Sequence, residues 1–242
     1  MMLYGRNPVL ERIRANPATI KKLYLQKRAN LSAIVREAKK ENISFFSLDK
    51  KDMRKLTGDI HSQGVAAEVS DYSYSPFDKL LRETLDKGIL MVFLDGITDP
   101  QNLGAIIRTL ACLGGYSLVI PGFKAAGINE TVLRVASGGE NYIEISRVAN
   151  IATSIEKARR LGIRITGADV RSSRSIYDLI ISTPLALVIG SEGKGIRPGV
   201  SKKLDTDFFI PMKGAGLSFN AAISAAIITS EFSRKLTVKM QE

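Results

Sequence analysis

Tryptophan is absent from these 242 residues, and cysteine and histidine occur once each, as Cys112 and His61. One cysteine closes no disulfide within the chain. One cysteine and one histidine also cannot build a Cys/His zinc site, or any catalytic arrangement that needs a second such residue. Long apolar runs are missing too. None reaches the roughly 18 to 20 residues of a membrane helix, and the opening "MMLYGRNPVLERIR" lacks the apolar stretch of a signal peptide. These absences predict a cytoplasmic chain with no membrane and no metal partner. Its chemistry is left to Arg, Glu, Asp, Asn, Ser, Lys or a bound cofactor. Cys112 stands among Leu110, Ala111 and Leu113 in a helical pattern, which predicts a plain core position.

Apolar residues make up 45 % of the chain and charged ones 24 %, as in an ordinary globular protein of one or two domains. The balance of charge is less ordinary: 35 Lys and Arg face 24 Asp and Glu, a net +11. Such an excess favours a polyanionic partner through counterion release and long-range attraction. It is densest at the front, where residues 1–75 hold 14 basic and 8 acidic side chains.

Asn7, Pro8 and the spacing of Val9, Leu10 and Ile13 predict a short first helix with Pro8 at its first position. "IKKLYLQ" and "ISFFSLD" read as strands around an amphipathic helix "LSAIVREAKKEN" capped by Asn30 or Ser32. A helix "KKDMRKLTG" ended by Gly58 and a strand "GVAAEVSDY" follow. This is a small α/β domain over residues 1–72. A Ser/Pro/Tyr stretch near Tyr72 to Pro76 marks the linker, which with the first helix region covers 73–88. Over 89–242 strand and helix alternate: "ILMVFLD", "YSLVIP", "YIEISRV", "IRITGADV", "LALVIG" and "TDFFIPM" are apolar without alternation, as in parallel strands covered on both faces. Helices are expected near 102–113, 130–137, 151–161 and 218–235. In such a sheet the ligand site belongs at the carboxyl ends of the strands.

Three stretches sit at such ends and are expected to wall one pocket. In "LDGITDPQNLGAIIR" Asn102 falls where a helix cap belongs, and Gly104 leaves room beside Arg108. "GSEGKGIRPG" fails the nucleotide motifs. Gly193-Lys194 lacks both the Walker spacing and its Ser/Thr, the third glycine of a dinucleotide fingerprint would fall at Pro198, and Ser191 lacks the G-x-S-x-G elbow, with Ile189 where its first glycine belongs. What remains is a turn displaying Glu192. "KGAGLSFN" brings Lys213, Ser218 and Asn220 to a helix start, with Ser218 a natural cap and free N–H groups facing any polar ligand.

"DPQNLGAIIRT", "LVIGSEGKGIRP" and "IPMKGAGLSFNAAISAAI" resemble, in order, the three sequence motifs of the SpoU/TrmH family of RNA ribose 2′-O-methyltransferases. "YGRNPVLE" and "HSQGVAAEV" resemble the small L30e-like RNA-binding domain that precedes the catalytic domain in members acting on bacterial ribosomal RNA. The resemblance implies an α/β fold whose C-terminal parallel-sheet domain carries a deep trefoil knot, S-adenosylmethionine as cofactor, ribosomal RNA as partner, and a homodimer whose active sites mix two chains. It implies that Gly190, Ile210, Met212 and Phe219 line the cofactor site. Asn102, Arg108, Glu192, Ser218 and Asn220 fall on the functional polar positions. Phe219 stands where Leu is usual, and "GADVRSS" (Gly167 to Ser173) departs from the family's run after the strand. The rival readings are a transfer RNA methyltransferase of the same family and a non-catalytic RNA-binding protein on the same fold.

Overall fold

The computed structural model describes residues 1–58, 60–214 and 217–239. Near the N-terminus four strands, β1 (Met2–Tyr4), β2 (Ile20–Gln26), β3 (Phe45–Leu48) and β4 (Val65–Val69), form a mixed sheet in the order β1-β4-β2-β3. Alternating side chains divide its two faces. Leu3, Leu23, Leu25, Val65 and Ala67 pack with Val9 and Ile13 of α1 (Arg6–Ala15) and Ile34 and Ala38 of α2 (Ser32–Lys40). Tyr4, Tyr24 and Ala66 pack with Met53 of α3 (Lys50–Thr57). Strand β1 was not expected, because three residues are too short for an alternation to show; it exists by pairing with β4, Met2 opposite Glu68.

Two helix starts differ from expectation. Pro8 is the third residue of α1, not the first; it is still in the first turn, where a missing N–H breaks no helical bond. The residue before α2 is Leu31, with no side-chain cap, while Ser32 and Asn30 hydrogen-bond each other at 3.4 Å.

The second sheet has six strands, all parallel, in the order β10-β8-β9-β5-β6-β7. They are β5 (Leu90–Asp95), β6 (Tyr116–Pro121), β7 (Glu144–Val148), β8 (Arg164–Ala168), β9 (Leu185–Gly190) and β10 (Thr206–Phe208). The wholly apolar central strands feed two cores at once. Leu90, Val92, Leu94, Leu187 and Ile189 meet α5 (Pro100–Leu113), α6 (Glu130–Ala136) and α9 (Ala221–Lys239). Met91, Phe93, Ala186 and Val188 meet α4 (Phe77–Lys87) and α7 (Ile151–Arg160). A short α8 (Pro198–Ser201) lies between β9 and β10.

Helix α5 overturns two readings. Cys112 is exposed, not core; it lies about 200° round the helix from Leu110, the last residue of the buried stripe. A Cβ on Gly104 would stand 2.7 Å from Val135 Cβ and 2.9 Å from the carbonyl oxygen of Val132, so this glycine admits α6 and does not make room for Arg108.

The two sheets are joined firmly. Leu133 of α6 inserts into the core of the first unit. Met2 N donates to Glu130 Oε1 at 2.7 Å and Asn16 Nδ2 to Asn141 Oδ1 at 2.9 Å. At the centre Arg12 Nη2 meets Glu140 Oε1 at 2.9 Å, with side-chain exposures of 6 % and 0 %. Burial pushes the Glu140 carboxyl up, and the Arg12 guanidinium pulls it part of the way back. The connecting stretch is itself held, since Ser75 N donates to Ile145 O at 2.8 Å and Ile128 N to Tyr74 Oη at 2.9 Å. Removing one member of a buried pair leaves the other charge uncompensated, so Arg12→Met should lower stability by about 3 kcal/mol or more in denaturant unfolding. Adding Glu140→Leu to Arg12→Met should recover most of that loss; an additive further loss would contradict this account.

Candidate active site

The carboxyl end of β5 leads through Gly96–Asp99 into α5. Asp99 is the cap of that helix, its Oδ1 accepting from Gln101 N at 2.9 Å, with Pro100 at the first helical position. Asn102 is therefore the third residue of the helix, contrary to the capping expectation, and its amide is free for another task. It is 9 % exposed, and its Nδ2 donates to Glu192 Oε1 at 2.8 Å.

Glu192 sits on the loop after β9. That loop folds into a tight return: Ser191 N donates to Gly195 O at 3.1 Å and Gly195 N to Ser191 O at 2.9 Å, with Gly193 and Gly195 at φ 74° and 63°. Its far end is tied down by the fully buried Asp95, whose Oδ2 accepts from Arg197 N at 2.8 Å and Oδ1 from Arg197 Nε at 2.7 Å. Gly190 is where strand and returning loop touch. A Cβ there would come within 2.2 Å of Gly195 C and 2.3 Å of Ile196 N. Any side chain at 190 would push this loop away.

The third loop runs from β10 to α9. Asn220 caps α9, with Oδ1 accepting from Ile223 N at 2.8 Å and its carbonyl from Ser224 N at 2.9 Å. Ser218, expected as the cap, stands two residues ahead of it and is exposed. The helix begins at Ala221, and Ala221 N donates to Glu192 Oε1 at 3.2 Å. The expected residues Ala215 and Gly216 of this loop lie outside the described residues.

Between the second and third loops lies a cavity of about 370 Å³, within the ordinary range of small-molecule sites. Gly190, Ile210, Met212 and Phe219 line it, as do Glu192 and Ser218. Asn102 and Asn220 stand behind this wall. Arg108 is not at the cavity; its side chain is exposed, two turns along α5, with no hydrogen bond or ion pair to a described residue. The first loop thus reaches the site through the bond from Asn102 to Glu192. A further wall comes from the stretch after β8, inside the run that departs from the family pattern, where Asp169, Val170 and Arg171 also line the cavity. Arg171 grips Asp169 through Nε at 3.0 Å and Nη2 at 2.7 Å and holds its carboxyl below the usual range. The signal was present as an Asp-x-Arg directly after an apolar strand.

The walls are mostly apolar, with glycine backbone and a few polar groups between them, and no thiol or imidazole lines them. Among the described residues no three His, Cys, Asp or Glu side chains gather closely enough to hold a metal ion. Such a cavity suits a flat, partly polar molecule held by shape and backbone hydrogen bonds.

A family model described as the SpoU rRNA Methylase family matches residues 89–230, and one described as RNA 2′-O ribose methyltransferase substrate binding matches residues 2–75. An uncharacterized tRNA/rRNA methyltransferase from Mycobacterium avium (strain 104) is 36 % identical over 235 residues, covering 96 % of this chain and 76 % of that protein. A putative TrmH family tRNA/rRNA methyltransferase from Staphylococcus haemolyticus is 32 % identical over 240 residues, covering 97 % and 96 %. Among solved structures, the SpoU methyltransferase AviRb from Streptomyces viridochromogenes, in complex with the cofactor AdoMet, shares the fold with a TM-score of 0.81 at 23 % identity, covering 98 % of this chain and 91 % of that one.

The contact at Gly190 can be measured against a neighbour. Gly190→Ala should cost about 1–3 kcal/mol through overpacking. Gly199→Ala, where a Cβ meets nothing within 4 Å, should leave thermal stability the same or slightly higher.

Proposed function

The chain belongs to the SpoU rRNA methylase family and is by that membership an RNA methyltransferase; on that premise we propose that it methylates a ribose 2′-hydroxyl of ribosomal RNA in the cytoplasm, using S-adenosylmethionine. The cavity carries the reading. Gly190, Ile210, Met212 and Phe219 surround a space of the right size for a nucleoside-bearing cofactor, and the absence of a thiol or imidazole there suits a transfer that needs neither. When bound, S-adenosylmethionine supplies a methyl group already activated on a sulfonium, so the protein has to position and discharge the hydroxyl.

That task falls to the polar residues around the cavity. Glu192, fixed by Asn102 and Ala221 N, is an oriented acceptor at the cavity wall. Ser218 offers a hydroxyl beside it, and Asn220 holds the start of α9 in place. Arg108 we assign to the RNA: a guanidinium that stays protonated is a poor base, but it steadies a phosphate and the negative charge growing on the 2′-oxygen. Its distance from the cavity of its own chain supports a homodimer in which Arg108 of one chain serves the cavity of the other. Leu217, Phe219 and Ile223 leave an apolar edge of 77 %, 41 % and 48 % exposure for such pairing.

We further infer the trefoil knot. Strand β10 lies at one edge of the sheet while α9 packs on α5 and β9, a placement that supports a passage of the intervening segment by the loop that carries Glu192. The division into 1–72, 73–88 and 89–242 is supported by the two separate sheets, with the first unit the RNA-holding one.

Incubating the protein with cellular RNA and cofactor labelled in the methyl group, then identifying the modified nucleoside by mass spectrometry, tests this reading. A 2′-O-methylnucleoside in ribosomal RNA is expected. A methyl group on a base would overturn the ribose assignment, one confined to transfer RNA would move the substrate, and no incorporation would favour an RNA-binding protein without activity. Arg108→Lys should keep measurable turnover while Arg108→Ala loses about a hundredfold or more; equal loss in both would contradict a charge-based action.

A further inference from the structure

The loop after β6, residues 122–129, is anchored on both sides of Phe123, at Gly122 and again at Ala126 and Ile128. Gly122 N donates to Val148 O at 2.7 Å, and Arg147 Nη2 donates to Gly122 O at 2.6 Å. Ala126 N donates to Ile97 O at 2.8 Å, and Ile128 N to Tyr74 Oη at 2.9 Å. Ala126 and Ile97 are both buried in the main core. From this anchored loop Phe123 projects with 78 % of its surface exposed, beside Lys124, which is kept at φ 53°, an uncommon conformation for a lysine. Mobility does not account for that exposure, because the backbone on either side is pinned.

The position is informative. The loop leaves the carboxyl end of the sheet, the same end as the cavity, and is bonded to Ile97 in the loop that leads to Asn102. Strands β9 and β6 flank β5, so the Glu192 loop and the Phe123 loop leave the sheet two strand spacings apart, roughly 10 Å. The loop itself is cationic: Lys124 follows Phe123, Arg147 bonds the loop, and residues 122–129 contain no acid, while Glu130 beyond them accepts from Met2 N. An aromatic face beside cations is the arrangement by which proteins hold single-stranded nucleic acid, the ring stacking on a base and the cations meeting the backbone. We propose that Phe123 is a stacking platform for an unpaired nucleobase of the RNA, close to the nucleotide being modified. The proposal rests on the RNA-methylating reading above, and it adds a substrate-binding residue outside the three motif loops.

The absence of tryptophan makes it testable, since Phe123→Trp installs a single tryptophan at this position, excited selectively beside the seven tyrosines. Emission should be quenched on titration with ribosomal RNA and with a single-stranded oligoadenylate of about 12 nucleotides. In methylation assays Phe123→Ala should raise the KM for RNA about fivefold or more, leaving kcat, cofactor affinity and thermal stability unchanged. Phe123→Tyr should restore the KM and Phe123→Leu should not, because leucine has no π face. Absent quenching, an unchanged KM, or full rescue by Phe123→Leu would overturn the platform, the last pointing to an apolar contact with a second copy of the chain. If the unsubstituted protein transfers no methyl group, the activity assignment fails while the quenching titration still decides the platform. If it methylates normally and Phe123→Ala does too, the platform alone fails.

Discussion

One carboxylate oxygen holds the site together. Glu192 Oε1 accepts from the side chain of Asn102 on α5 and from the first amide of α9. These groups are 90 and 29 residues away along the chain. The loop bearing Glu192 is in turn closed on itself between Ser191 and Gly195 and fastened to β5 through Asp95 and Arg197. Two helix starts and two strand ends therefore share one small set of hydrogen bonds. A helix N-terminus offers free N–H groups and a positive field, and an acid there is stabilised by both. Glu192 sits at such a start, beside the cavity it helps to wall.

A second constraint sets the relation between the units. The Arg12–Glu140 pair is almost wholly out of water, and Leu133 of the second unit completes the core of the first. Buried pairs of this kind are poor sources of net stability but demanding of geometry, since a misplaced partner leaves a bare charge. Glu140 follows Gly139, which packs against the backbone of Arg108: a Cβ on Gly139 would lie 3.1 Å from Arg108 Cα. The N-terminal unit, the turn at 139–141 and the helix that carries Arg108 are thus one continuous body. An RNA held by the first unit would meet the second at a set distance.

Local pattern and tertiary role part at several positions. Asn102 and Ser218 have a good local use as helix caps beside the functional positions the family resemblance gives them, and Gly104 has one as a spacer. In the structure Asp99 and Asn220 take the caps, three residues before Asn102 and two residues after Ser218. Asn102 is thereby released to bond Glu192. Gly104 faces α6, a neighbour whose arrival no local pattern announces. Cys112 was placed in the core by its apolar neighbours, although the period of the helix turns it outward. Asp169 to Arg171 lie in the run that departs from the family pattern, so no motif names them as site residues, and they become part of a cavity only where the strand beside β9 ends.

What the sequence determined by itself was the class of fold and the set of loops. Unbroken apolar strands separated by amphipathic helices can bury both faces only as a covered parallel sheet, and that forces the loops after the strands to one end. It also excluded a disulfide within the chain and a Cys/His zinc site, since a single cysteine and a single histidine leave nothing to pair. The tertiary structure decided which of the gathered residues touch. Strand order brought β8, β9 and β10 together around the cavity, put Asn102 within reach of Glu192, and left Arg108 apart. Those outcomes depend on which strands are neighbours and on the last half-turn of each helix. Both are settled by packing between residues far apart in sequence, where spacing along the chain carries no information.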